Sequence, residues 1–112
     1  MEISTELFEK YYYPIIQILG HMTFTGCPQL AYACAAYNPG MTYKELCGIV
    51  AEKFDTTPIA VKRNLTIYCQ AVRKGISEEE LSSVLKYNVT KITPFELIPI
   101  LKFSINGVFD NA

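Results

Sequence analysis

Residues 42–74, TYKELCGIVAEKFDTTPIAVKRNLTIYCQAVRK, hold two helical stripes separated by a very short turn. In the first half, Tyr43, Leu46, Cys47, Val50 and Phe54 fall at i, i+3, i+4, i+7 and i+11, one face of an α-helix. In the second, Val61, Leu65, Tyr68, Cys69 and Val72 fall at i, i+4, i+7, i+8 and i+11 and form another. Thr42 with Glu45 fits a capping box, in which hydroxyl and carboxylate satisfy orphan backbone N–H groups reciprocally. Thr57 followed by Pro58 marks the second start, because proline at the first helical position loses no hydrogen bond. The stretch therefore predicts helices over 43–54 and 58–74, with only Asp55 and Thr56 between Phe54 and the cap Thr57. Two amphipathic helices joined so tightly must pack at a steep angle, which is the geometry of a helix-turn-helix.

Outward from this stretch the chain continues in the same style. Leu7, Phe8, Tyr11, Tyr12, Ile15, Ile16 and Leu19 make a helical stripe that Gly20 stops, and Pro14 kinks or splits it. Pro28–Tyr37 (PQLAYACAAY) is apolar on nearly every side and reads as the buried central helix, ended by Asn38, Pro39 and Gly40. Ser77 with Glu80 and Thr93 with Glu96 repeat the capping-box pattern and predict helices near 78–86 and 94–105, the continuity of the last left open by Pro99. Strand-like alternation is scarce and no repeat or linker divides the chain. The expectation is an all-α fold, one compact bundle of about six helices over residues 1–112.

Composition narrows the function classes. The 112 residues are half hydrophobic and about a fifth charged, enough to bury one modest core without metal or disulfide staples. No apolar run reaches membrane-spanning length, and an N-terminus opening with Glu2 and Glu6 is not a secretory signal, so the expected location is cytoplasmic, with no membrane partner. Cys27, Cys34, Cys47 and Cys69 form no C-x-x-C, and the single His21 has no ligand at zinc spacing, so they read as buried thiols with no metal and no cofactor. Cys27 precedes Pro28 at an expected helix start, where a thiolate would be favoured. The tyrosines at 11–13, 32, 37, 43, 68 and 87 sit mostly at core spacing. One histidine, no glycine-rich phosphate loop and no paired-carboxylate pattern leave no catalytic set, and no enzyme is expected.

The net charge of −1 argues against bulk electrostatic coating of nucleic acid, but its distribution is uneven. Between 53 and 74 stand Lys53, Lys62, Arg63, Arg73 and Lys74 against Asp55 alone, while acids gather at Glu2–Glu9 and Glu78–Glu80. At 100° per residue, Ile59, Arg63, Thr66, Ile67 and Gln70 lie opposite the core stripe of the 58–74 helix, with Lys62 and Arg73 on its shoulder. Arginine can bond guanine and glutamine adenine through two hydrogen bonds each in the major groove, which makes Arg63, Thr66 and Gln70 the candidate base readers. Lys53, Thr56, Thr57, Lys62 and Arg73 suit phosphates. Ile59 and Ile67 can touch thymine methyls and equally mark a protein interface.

Three segments, PIIQILG (14–20), KELCGIVAEKFDTTPIAVKRNL (44–65) and LKYNVTKITPFELI (85–98), carry a resemblance over roughly residues 13–103. There the chain resembles the C-terminal effector domain of stage 0 sporulation protein A, a response-regulator family, most specifically over Val50–Arg63. The resemblance implies a six-helix domain with a helix-turn-helix at 42–74, of the winged-helix-like DNA-binding class without a strand wing. It implies sporulation-type transcription regulation through double-stranded DNA, as a homodimer or tandem copies, with the transcription machinery as a further partner. Arg63 matches the family's recognition-helix arginine. Lys62 stands where the pattern has an acid, and basic residues of the family fall on Ala60, Thr66 and Ile67. If Met1 is the natural start, the expectation is a module without the family's phosphoacceptor receiver domain. The alternative expectation is a protein-interaction module with the same fold and weakened DNA binding, pairing with itself or with a full-length regulator through Ile59 and Ile67.

Overall fold

The computed structural model describes residues 3–110, with side chains through Gly107; Met1 and Glu2, on which the reading of the N-terminus partly rests, lie outside the described residues. Six helices follow in order: α1 (Thr5–Leu19), α2 (Gly26–Ala36), α3 (Tyr43–Lys53), α4 (Pro58–Gly75), α5 (Glu78–Leu85) and α6 (Pro94–Asp110). No strand occurs among the described residues. The radius of gyration is 12.9 Å, that of a compact bundle rather than an extended helical array. No helix among the described residues is long and apolar enough to cross a membrane.

The centre is α2. Ten of its eleven residues are buried, and it packs on α1, α3, α4 and α6. Small side chains make this possible: Ala31, Ala33, Ala35 and Ala36 let four neighbours approach at once, while Leu30 and Tyr32 fill the gaps. The helix starts at Gly26, two residues earlier than the Pro28 start expected from sequence, because Phe24 and Thr25 already turn the chain and Phe24 accepts from the Cys27 N–H. A Cβ on Gly26 would lie 2.3 Å from the Asn64 carbonyl oxygen and 2.8 Å from the Tyr68 Cβ. Glycine is required there by the closeness of α4. Beside it, Asn64 Nδ2 donates to Gln29 Oε1 at 3.2 Å, which satisfies a buried amide.

Of the two outcomes expected at Pro14, a kink or a split, the helix is not split, and the helix whose continuity Pro99 leaves open is continuous. α1 runs through Pro14, which is itself buried, and α6 runs through Pro99 to Asp110. In α1 the helix begins at Thr5, capped by the Ser4 hydroxyl, which accepts from the Leu7 N–H. Burial of Tyr11, Ile15 and Leu19 on one side and of Leu97, Ile98, Leu101 and Ile105 on the other outweighs the one hydrogen bond that an internal proline removes. The capping boxes at Thr42/Glu45 and Ser77/Glu80 are both formed. The third is not formed as expected, since Glu96 reaches past Thr93 and accepts from the Thr90 N–H and hydroxyl.

Long-range polar contacts close the bundle. Lys102 Nζ donates to the Tyr37 carbonyl at 2.6 Å and reaches the Ala35 carbonyl at 3.4 Å. It supplies a cation to the C-terminus of α2, whose own last turn has none. Ser104 Oγ donates to the Leu85 carbonyl at the end of α5. Tyr68 Oη donates to the Gly20 carbonyl at 2.7 Å, and Tyr11 Oη to Asn106 Oδ1 at 2.9 Å. Of the tyrosines expected in the core, Tyr11, Tyr32 and Tyr68 are buried, whereas Tyr13 and Tyr87 are exposed.

All four cysteines are free and buried. Burial raises the Cys27 thiol pKa although it stands in the first turn of α2, so the thiolate expected there is disfavoured. Burial likewise pushes Cys69 up to about 12 and raises Cys34 and Cys47.

Two outcomes follow from this packing. Gly26→Ala should lower the unfolding free energy by about 1–3 kcal/mol, read from the urea midpoint; an unchanged midpoint would mean that α2 and α4 do not meet so closely. At neutral pH a thiol reagent should leave the cysteines of the native chain unmodified for as long as it takes all of them to react in urea. Prompt labelling of any one in buffer would contradict their burial.

Candidate nucleic-acid interface

The interface is what the core leaves over on α4. Val61, Leu65, Tyr68, Cys69 and Val72 are buried against α2, α3 and α6, and the opposite face carries Ile59, Arg63, Thr66, Ile67 and Gln70, all exposed. The three candidate base readers thus stand along one line on solvent. Arg63 has no ion-pair or hydrogen-bond partner among the described residues, so nothing must be released before its guanidinium meets a ligand. No acid occurs anywhere in α4, and Arg73 and Lys74 lie in its last turn.

The turn that aims α4 has a definite conformation. After Phe54, Asp55 adopts φ 53°, the left-handed region. The Thr56 N–H donates to the Ala51 carbonyl at 2.9 Å and the Asp55 N–H to the Glu52 carbonyl at 3.4 Å. Together these make a Schellman closure of α3, with aspartate where glycine is usual. The chain then enters α4 through Thr57, whose Oγ1 accepts from the Ala60 N–H at 3.1 Å while its carbonyl accepts from the Val61 N–H. Pro58 has no N–H, and the Ile59 N–H has no acceptor among the described residues. The open end of α4 is therefore two backbone amides, those of Thr57 and Ile59, beside the exposed hydroxyls of Thr56 and Thr57.

Charge separates this end from the others. α1, α3, α5 and α6 each carry an acid in the first turn (Glu6, Glu45, Glu78–Glu80 and Glu96), where it offsets the positive end of the helix dipole. α2 and α4 do not, and the first turn of α2 is largely buried. Hence, among the helices whose first turn is exposed, α4 alone carries no acid there; the nearest in sequence is Asp55, two residues before its cap.

The expected phosphate ligands do not form one cluster. Lys53, Thr56 and Thr57 are exposed around the turn. Lys53 Nζ rests 5.9 Å from the Tyr32 ring centroid and Lys62 Nζ 6.0 Å from that of Tyr43, so both lysines lean toward neighbouring helices rather than along the outward line. Sixteen residues of helix, about 24 Å, separate Thr57 from Arg73. The arrangement suits two phosphate contacts at opposite ends of a helix with base contacts between them. The sequence pointed to N–H groups near Thr56 and Thr57 without singling out that of Ile59, which the Thr57–Pro58 pair signalled; the left-handed Asp55 was missed and had no local signal.

The turn geometry is testable by itself. Asp55→Gly should hold stability or raise it by up to about 1 kcal/mol, whereas Asp55→Val should lower it by about 1–2 kcal/mol. Equal denaturation midpoints for the two variants would rule out a left-handed residue at this position. No protein-family model, curated protein or solved structure matched the chain, so the interface is read from its own residues.

Proposed function

We propose that the chain is a cytoplasmic, sequence-specific DNA-binding module acting in transcription, with α4 as the recognition helix of a helix-turn-helix laid in the major groove. One observation carries this reading: the exposed face of α4 bears Arg63, Thr66 and Gln70 in line, basic side chains and no acid, and its first turn holds no acid either. Arg63, Thr66 and Gln70 read base edges. Lys53, Thr56, Thr57, Lys62 and Arg73, with the Ile59 amide, hold phosphates. The resemblance of Val50–Arg63 to the sporulation response-regulator effector domain supports the same assignment and adds tandem or dimeric binding on DNA, with the transcription machinery as a further partner.

A second reading is favoured by one feature of that face. Ile59 is 73% exposed and Ile67 43% exposed, and apolar side chains on a helix surface also fit a protein partner, either a second copy or a full-length regulator.

Titration with a randomised duplex pool, with selection at two salt concentrations, separates the readings. An enriched motif with salt-dependent affinity is expected; an unenriched pool with no salt dependence would transfer the face to a protein partner. On the enriched duplex, Arg63→Ala should cost about 1–3 kcal/mol at one base position, while Lys62→Ala should weaken all sequences alike and flatten the salt slope by about one. Equal losses on specific and random DNA for Arg63→Ala would remove it from base reading.

A further inference from the structure

We infer that Ile59 and Ile67 are specificity-determining residues that contact thymine 5-methyl groups, so that the preferred duplex carries thymines on both sides of the base pair taken by Arg63. The inference rests on the DNA reading of α4 and goes beyond it by assigning the two residues that no hydrogen-bonding scheme can use.

The placement is specific. Ile59 and Ile67 lie four residues before and four after Arg63, about 6 Å along the axis each way and about 40° to either side. Six ångströms along a groove is roughly two base-pair steps. Each isoleucine therefore flanks the guanidinium about two base pairs away rather than competing for the same one. The chemistry is equally narrow. In the major groove the thymine methyl is the one apolar group among natural bases, and isoleucine has neither donor nor acceptor with which to read any other. Its branched Cβ also restricts the first side-chain torsion in a helix, so the methyl groups stand in a fixed direction before contact.

The surroundings favour DNA over a protein as the occupant. Ile59 is the most exposed of the large hydrophobic residues described, yet Lys62 and Arg63 stand on the next turn beside it. Ile67 has Arg63 on one side, with Gln70 and Lys74 on the other. The apolar surface is two separate side chains divided by a cation, whereas the buried core of a protein interface is depleted of charge. A polyanion carrying isolated methyl groups matches that alternation in both charge and apolar content.

The test uses the 112-residue chain and its selected duplex, with each thymine replaced singly by deoxyuridine, which removes only the methyl group. Anisotropy titration at fixed salt should show about a four-fold loss, that of one buried methyl, at one position on each side of the base pair that Arg63→Ala identifies. Ile59→Ser should abolish the thymine–uracil difference at one of these positions and Ile67→Ser at the other. Both positions are exposed, and circular dichroism will show that the variants remain folded. An enriched motif with equal affinity for thymine and uracil throughout overturns this inference and leaves the DNA reading standing. Persistence of the difference in both variants also overturns it, as does loss of self-association in the variants with DNA affinity unchanged. A pool without enrichment overturns the inference together with the DNA reading.

Discussion

The crossing of α2 and α4 at Gly26 sets the orientation on which the surface of this protein depends. The Asn64 carbonyl occupies the space a side chain at Gly26 would need, and the Asn64 amide is tied to Gln29 on the same face of α2. Four residues further on, Tyr68 holds the Gly20 carbonyl beyond the end of α1. Three consecutive contacts thus pin one side of α4 and fix its rotation about its own axis. A slip of one residue would turn the helix by 100° and bury Lys62 or Thr66 instead of Val61 and Leu65. The solvent face of α4 is therefore a consequence of core packing.

A similar economy governs the helix ends. α3 and α5 close their N-termini with hydroxyl–carboxylate pairs, and α6 draws Glu96 back to Thr90. Acid partners of this kind stabilise a helix and at the same time repel phosphate. α4 uses Thr57 and Pro58 instead. That choice gives a well-defined start with the Thr57 and Ile59 amides open and no negative charge in the first turn. The same substitution of devices keeps the domain as a whole slightly acidic while leaving one basic helix, so the net charge of the chain is a poor guide to what its surface can bind.

How much of this could be read from sequence depended on the range of the forces involved. The caps of α3, α4 and α5 were legible because a capping box or a Thr–Pro start acts within four residues, and the stripes were legible because burial imposes the helical period. The continuity of α1 through Pro14 and of α6 through Pro99 was not, since it is decided by apolar partners far away in the chain. The same holds for Gly26, which looks like a loop residue locally, and for Lys102 and Ser104, which cap helices 65 and 19 residues away from them in sequence. At the candidate interface, Arg63, Thr66 and Gln70 were legible as the complement of a stripe. The left-handed Asp55 was not, because its local signal would have been glycine. The lean of Lys53 and Lys62 onto Tyr32 and Tyr43 depends on rings that other helices bring into reach.

The two exposed isoleucines of α4 carry very different weight under the two kinds of partner. Bringing two proteins together costs about 4–15 kcal/mol in lost translational and rotational freedom, and burying an isoleucine fully returns about 1.5–3 kcal/mol. Burying both isoleucines of two copies would return about 6–12 kcal/mol, which leaves no clear surplus over that cost, and the side chains around them are cations that a like-charged copy would meet unfavourably. On DNA the demand is smaller. Phosphate contacts supply most of the affinity in a sequence-independent way, so an apolar side chain has only to discriminate between neighbouring bases, for which a fraction of one isoleucine's burial suffices. Under the proposed DNA reading, cations would hold the backbone and isolated apolar side chains would choose among bases, and α4 presents both kinds of side chain on one face.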